Sequence, residues 1–310
     1  MRKFSIAVHG GAGTLVRSQM TLEKEKAYKT TLSLALDTGY SLLQNKGTAT
    51  EAVAAAVRIL EDSPLFNAGK GSVFTAEGVH EMDASIMEGK TRMAGAVSLV
   101  RGIKNPISLA RDIMEKSDHV FLAGEGAMQF ARSLGYTFEE ESYFYDALRY
   151  QQWQDLKDTS NFSLDHANTS DSKFGTVGAV ACDTYGNLAA ATSTGGMTNK
   201  RYGRIGDSSV IGSGTYANND TCAISCTGSG EYFIRGVVAY DISCYMEHKG
   251  VSLIEAAHWG IHDRLQKLGG DGGIIAVDAM ANIAMFFNTE GMYRGFASST
   301  GNREVSIFSD

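Results

Sequence analysis

Residues Lys157 to Lys173 read KDTSNFSLDHANTSDSK, a polar run with no helical or strand period, and the chain then enters its most apolar stretch. That stretch is TVGAVACD from Thr176 and LAAATS from Leu188, joined by Thr184-Tyr185-Gly186-Asn187. A polar run of this kind predicts an exposed, mobile linker. Two short apolar runs with turn residues between them predict a hairpin buried on both faces. The junction constrains the fold: a central hairpin, covered above and below, begins where a solvent-side segment ends.

The rest of the chain supplies the covering layers. Phe4 to Val8 predicts a strand entering a glycine turn at His9-Gly10-Gly11-Ala12-Gly13. A helix follows over Glu23 to Leu43, and a second starts at a capping box, Thr48-x-x-Glu51, with Val53, Ala56, Val57 and Leu60 at helical spacing before Pro64 stops it. VFTAE, MDASIME and AGAVSLV predict three strands between Val73 and Val100. Asn105-Pro106 opens a helix. A short strand is expected over Val120 to Ala123, with helices over Glu125 to Leu134 and Tyr143 to Leu156. Beyond the hairpin, strands are predicted at Ser209 to Ile211 and Cys222 to Thr227, and helices at Tyr232 to Glu247 and Leu253 to Leu268. A hairpin from Gly273 to Asn288 closes the pattern. Helices packed outside sheets, without strict strand–helix alternation, indicate a layered α/β sandwich.

Composition removes several functions. The 310 residues suit one large domain or two ordinary ones, and 43% hydrophobic with 20% charged residues is ordinary for a folded chain. A net charge of −7 without a basic stripe argues against a nucleic-acid partner. The opening MRKFSIAVHGGAG holds too few apolar residues for a signal-peptide core or a membrane span, so a cytoplasmic, membrane-free protein is expected. The four cysteines, Cys182, Cys222, Cys226 and Cys244, show no metal-ligand spacing beyond one C-x3-C and are read as free thiols of the core.

Two readings of Thr176 compete. It is either an ordinary strand-starting threonine, favoured by β-propensity, or a new N-terminus released by cleavage after Gly175. A threonine hydroxyl is a weak nucleophile without a neighbouring base, and a free α-amine with a pKa near 8 would supply one. While the chain is whole that amine is an amide and serves no such purpose. Gly175, lacking Cβ, tolerates the strained backbone that brings the hydroxyl to the preceding carbonyl.

Several segments bear on this choice: HGGAG at the start, PLFNAGKGS in the middle, then FGTVGAVACDTYGNLAAATSTGG, NKRYGRIGDSS, YANND and SCTGSGE. In this order they resemble the plant-type asparaginase and isoaspartyl peptidase family of N-terminal nucleophile hydrolases, and closely its bacterial isoaspartyl dipeptidases. The similarity runs from Ile6 to about Gly295. It implies a four-layer αββα sandwich of the N-terminal nucleophile hydrolase type. It also implies cleavage of a single 1–310 domain into a 1–175 α chain and a 176–310 β chain, assembled as a dimer of αβ heterodimers. No catalytic cofactor is implied. The implied substrates are L-asparagine and β-aspartyl dipeptides.

Residue by residue, Thr176 matches the family's nucleophile. Thr194, in Ser193-Thr194-Gly195-Gly196, matches the threonine that hydrogen-bonds the nucleophile's hydroxyl and amine. Arg204 matches the residue that grips the substrate α-carboxylate, a role suited to a planar two-pronged donor, and Asp207 the partner of the α-ammonium. A surface salt bridge between Arg204 and Asp207 is the other reading of that pair. Thr227 and Gly228 match the oxyanion hole, Gly230 a position lying against substrate, and Asn67 an α-chain residue beside the nucleophile. The turn from Leu60 to Lys70 matches a loop whose carbonyls, at Leu60, Glu61, Ser63, Phe66, Ala68 and Lys70, hold a structural sodium ion in relatives. Lysine at position 70 is unfavourable there unless its ammonium points away. His9 to Gly13 is read either as shaping the backbone behind the cleavage site or as a plain strand-to-loop turn.

Other patterns carry less. Gly212-Ser213-Gly214-x-x-Ala217 spells a dinucleotide fingerprint but opens no helix. His258 and His262 share a helix face without the Glu-x-x-His context of a zinc site. No Gly-x-Ser-x-Gly elbow occurs. The remaining rivals are a glycosylasparaginase, which would be expected with a signal peptide and disulfides, a taspase-like endoprotease, and an uncleaved, catalytically silent binding protein of the same fold.

Overall fold

A computed structural model describes residues 2–13, 15, 17–158 and 175–309, so the predicted linker, apart from Lys157 and Asp158, lies outside the described residues. In chain order the elements are β1 (Ser5–Gly13), α1 (Leu22–Gln44), α2 (Ala49–Glu61), β2 (Met82–Glu88), β3 (Ala94–Val100), α3 (Pro106–Lys116) and β4 (Phe121–Ala123). Three helices follow, α4 (Gly124–Ser133), α5 (Glu141–Phe144) and α6 (Ala147–Leu156). Beyond the undescribed segment come β5 (Val177–Cys182), β6 (Leu188–Thr194), β7 (Thr215–Ala217), β8 (Cys222–Gly228), α7 (Gly230–Gly236), α8 (Val238–Lys249) and α9 (Leu253–His258). The chain ends with β9 (Gly272–Asp278), β10 (Ile283–Phe287), β11 (Gly291–Ser298) and β12 (Arg303–Phe308).

The strands form a mixed α/β fold with two sheets, ordered β12-β11-β1-β5-β6-β2-β3-β4 and β10-β9-β8-β7. The predicted hairpin lies at the centre of the larger sheet, with Val177 opposite Ser193 and Cys182 opposite Leu188. Strand alternation sorts its residues into two cores. Val177, Ala179, Ala181, Ala189 and Ala191 pack with residues of α1, α2 and α3. Val180, Cys182, Leu188 and Ala190 face the other way, onto β8, β9, α8 and α9. The alanines let α2 approach closely, since Ala52, Ala56, Val57 and Leu60 on that helix are fully buried. The capping box holds: Glu51 N–H donates to Thr48 Oγ1, and the Glu51 carboxylate accepts from Thr48 N–H at 2.8 Å.

Several predicted elements are corrected. HGGAG is no turn, because β1 runs on to Gly13 with a bulge between His9 and Gly11. VFTAE forms only an isolated bridge from Thr75 to Lys200, since Thr75–Gly78 folds into a turn with Gly78 at φ +76°. Ser209 to Ile211 likewise gives a single bridge, Ile211 to Thr215. The Tyr143–Leu156 helix is two, because Asp146 leaves helical geometry and caps α6 by accepting from Arg149 N–H. The Tyr232–Glu247 helix breaks at Val237, left-handed at φ 47°, a conformation disfavoured for a β-branched residue. The last predicted helix passes through a π-helical stretch over Trp259–Leu265. Strands β11 and β12 were not predicted. All four cysteines are free, and among the described residues no helix is long and apolar enough to cross a membrane.

Candidate active site

Strand register gathers the candidate residues at one end of the sheets. Val177 pairs with Ser193, so Thr176 and Thr194 leave β5 and β6 side by side. His9 pairs with Gly178, which carries the end of β1 past Gly175. Thr227 and Gly228 end β8 opposite Gly273 and Gly272. A cleft there is lined by Gly175, Thr176, Thr194, Arg204, Asp207 and Gly228, together with Asn67, Arg149 and Ser208.

Thr176 is 6% exposed. Its Oγ1 lies 3.0 Å from Ser208 Oγ, a neighbour that sequence reasoning missed. The Thr194 hydroxyl instead accepts from Gly196 N–H at 3.0 Å, so in this continuous chain Ser208, not Thr194, is the hydroxyl bonded to Thr176. Gly175 is a site of close approach: a Cβ there would meet Thr227 Oγ1 at 2.7 Å. Opposite it, Gly11 has φ +113°, and a Cβ would sit 2.7 Å from Gly175 N. The bulge in β1 therefore presses one glycine backbone against the other. Thr227 Oγ1 accepts from Ala12 N–H at 3.3 Å, which leaves its own hydrogen for an acceptor beside Gly175.

Arg204 and Asp207 do not form the simple salt bridge. Arg204 Nε and Nη2 donate to the Glu231 carboxylate at 2.9 and 3.0 Å, one edge of the guanidinium fork. The Nη1/Nη2 edge is the one left for a second carboxylate. Burial tends to raise the Glu231 carboxyl, and the Arg204 hydrogen bonds and charge outweigh it, holding that carboxyl below its usual range. Asp207 is 3% exposed, and among the described residues its Oδ2 has no hydrogen-bond partner. Burial pushes its carboxyl up to about 7, against the pull of Arg204. Arg204 is the cation that opposes this shift, and it is itself held by Glu231. A Cβ at Gly230 would lie 2.8 Å from Asp207 Oδ1 and 3.1 Å from Arg204 Nη2, so the glycine is what lets these two side chains stand together. Gly228, at φ +145°, is held against the Asp271 carbonyl.

Behind Thr176 a buried chain of hydroxyls links the sheets. His9 Nε2 meets Ser225 Oγ at 2.9 Å, Ser225 meets Thr192 at 2.7 Å, Thr215 meets Thr192 at 2.5 Å, and Ser85 reaches Thr215 at 2.8 Å and the Ser208 carbonyl at 2.6 Å. Burial lowers the His9 imidazole to about 3, against the Thr176 backbone, so the ring is neutral. The available signal was a hydroxyl residue within an apolar strand: Ser85 in β2, Thr192 in β6 and Ser225 in β8.

Asn67 ties the loop after α2 to the end of β6: Nδ2 donates to the Gly196 carbonyl at 2.7 Å and Oδ1 accepts from Val73 N–H at 3.1 Å. In that loop the carbonyls of Leu60, Phe66 and Ala68 accept from Ser63, Ala68 and Gly71 N–H. Gly69, at φ +53°, passes so close that a Cβ would be 2.4 Å from the Glu61 carbonyl. Lys70 Nζ stands 5.4 Å from the Tyr143 ring centroid. The Glu61 side chain is turned elsewhere: Oε1 accepts from Ser193 Oγ at 2.6 Å and Ile107 N–H at 3.0 Å, and burial pushes the carboxyl up to about 8.

One cleft therefore brings together the Thr176 and Thr194 hydroxyls, an arginine held by Glu231 and a buried aspartate. The family described as asparaginase matches residues 2–307, and the chain belongs to that family. The isoaspartyl peptidase of Escherichia coli (strain K12) is 49% identical over 305 residues, 97% of this chain and 95% of that protein. The isoaspartyl peptidase/L-asparaginase of Xenopus laevis is 44% identical over 288 residues, 93% and 90% of the two chains. The plant-type L-asparaginase of Pyrococcus abyssi (strain GE5 / Orsay) is 40% identical over 310 residues, 94% and 95%.

Proposed function

We propose that this chain is a self-cleaving threonine amidohydrolase that hydrolyses β-aspartyl dipeptides and the side-chain amide of L-asparagine. The observation that carries the proposal is the buried Thr176, at the head of a strand and hydroxyl-bonded to Ser208, in one cleft with Arg204 and the buried Asp207. Arg204 takes the substrate α-carboxylate and Asp207 its α-ammonium, which presents the β-carbonyl to Thr176. The hydroxyl attacks, Thr227 and the Gly228 N–H stabilise the oxyanion, and a β-aspartyl ester forms as ammonia or an amino acid leaves. Water then releases aspartate. A site that pairs both charges rejects ordinary α-peptides, which lack one of them.

Before that, the Thr176 hydroxyl attacks the Gly175 carbonyl, the Gly175–Thr176 amide becomes an ester as the α-amine leaves with the proton, and water hydrolyses that ester to give 1–175 and 176–310 with the amine free to act as base. The closeness of Thr227 Oγ1 to Gly175 supports the same hydroxyl serving this step. The two cores support a four-layer αββα sandwich, and we include in the proposal assembly as a dimer of αβ heterodimers. The loop from Leu60 to Lys70 suits a structural sodium ion. It offers hard carbonyl oxygens, and the Lys70 ammonium sits on Tyr143.

Denaturing electrophoresis and aspartate release from β-Asp-Leu and L-asparagine test the proposal together. Two fragments and turnover are expected, with a single full-length band and no turnover for Thr176→Ala. Turnover by that variant would overturn the assignment.

A further inference from the structure

The cleft holds a second arginine that the reaction as described does not use. Arg149, on α6, is 4% exposed and lines the same cleft as Thr176, Arg204 and Asp207. Its helix is held by aromatic packing, with Phe74 stacked on Trp153 at 5.8 Å and edge-on to Tyr150 at 5.8 Å. Phe74 follows Val73, itself a cleft residue bonded to Asn67. Arg149 is therefore mounted on an element separate from the loop that carries Arg204. Its Nη1 donates to Gln152 Oε1 at 3.3 Å.

The two proposed substrates differ by one charge. L-Asparagine brings a single carboxylate, which Arg204 accounts for, whereas a β-aspartyl dipeptide brings a second on the departing residue. A guanidinium buried to this degree and opening on the cleft suits a carboxylate better than a side-chain amide or a neutral leaving group. Resting on the proposed function, we propose that Arg149 binds the C-terminal carboxylate of the leaving amino acid, and so selects dipeptides carrying a free carboxylate.

The test compares β-Asp-Leu with its C-terminal amide on the same enzyme. In the unaltered enzyme kcat/KM for the acid should exceed that for the amide by about 10–100-fold, the range for a charge-assisted hydrogen bond. The difference should lie in KM. In Arg149→Gln that ratio should fall to within about threefold of one, and Arg149→Lys should retain part of it. A ratio near one in the unaltered enzyme overturns the inference, as does an undiminished ratio in Arg149→Gln. Should Arg149→Gln not fold, the unaltered enzyme and Arg149→Lys still decide. Failure of the unaltered enzyme on both β-Asp-Leu and L-asparagine would instead overturn the proposed function.

Discussion

Replacing Asp207 by asparagine should stabilise the empty protein at the pH where it works, while removing its grip on substrate. Burial raises the Asp207 carboxyl to about 7, the nearby Arg204 only partly opposing it. In an unfolded chain the same carboxyl titrates near 3.9. Between those values the folded chain holds a proton that the unfolded chain has released, so stability falls as pH rises through this window and levels off above about 7. At about 1.4 kcal/mol per pH unit, the penalty grows by ~2–3 kcal/mol from pH 5 to pH 8. Asparagine fills the same space and does not titrate. Its fixed burial cost is the same at both pH values, so it drops out of the comparison. Urea unfolding of Asp207→Asn against its parent, both carrying Thr176→Ala so that each sample is one uncut chain, should show the variant gaining ~2–3 kcal/mol relative to the parent over that interval. An offset independent of pH, or one that shrinks as pH rises, would refute the reasoning. It would mean that Arg204 already keeps the carboxylate ionised in acid. The same titration predicts that kcat/KM of the active enzyme rises through about pH 7, because only the ionised carboxylate binds an ammonium group.

Ser208→Ala removes the hydroxyl 3.0 Å from Thr176 Oγ1 and should lower kcat by about 10–100-fold with KM for L-asparagine within about threefold, read by steady-state kinetics. Gly230→Ala introduces a Cβ 2.8 Å from Asp207 Oδ1, which forces that carboxylate or Arg204 to shift. Its KM should rise about tenfold with processing intact, and L-aspartate binding by calorimetry should weaken in parallel.

Periodicity and capping chemistry specify much of the fold. The central hairpin was legible because apolar residues fill both alternating sets, which only a strand covered on two faces tolerates. The α2 start was legible because Thr48 and Glu51 satisfy each other's backbone locally. The losses fall where tertiary contacts overrule local preference. Val237 adopts a left-handed backbone where its neighbours prefer helix, with its N–H bonded to the Ile234 and Phe233 carbonyls. In β11 and β12 glycines and charged residues interrupt the alternation, and Arg294 is buried with its Nη1 on the Met292 and Phe308 carbonyls. HGGAG read as a turn because four of its residues are small, yet the small residues are there for contact with Gly175.

The same distinction explains the site. Resemblance could name Thr176, Arg204, Asp207 and Thr227, because each sits in a short segment whose order along the chain is itself informative. It could not name Glu231, whose hold on Arg204 depends on the loop after β6 folding back over the start of α7. Nor could it name Ser208, one residue beyond Asp207 and directed toward Thr176 instead of the charged pair. Both act through geometry that no spacing encodes. Arg204 illustrates the consequence. Read from sequence it is a free two-pronged donor, but with Nε and Nη2 already held by Glu231 it leaves only its remaining edge for a second carboxylate. A carboxylate approaching that edge meets a guanidinium fixed in orientation beforehand, so little side-chain entropy is left to lose on binding. Asp207 is the carboxyl that burial raises into the neutral range, and its tendency to protonate makes the cleft sensitive to pH there.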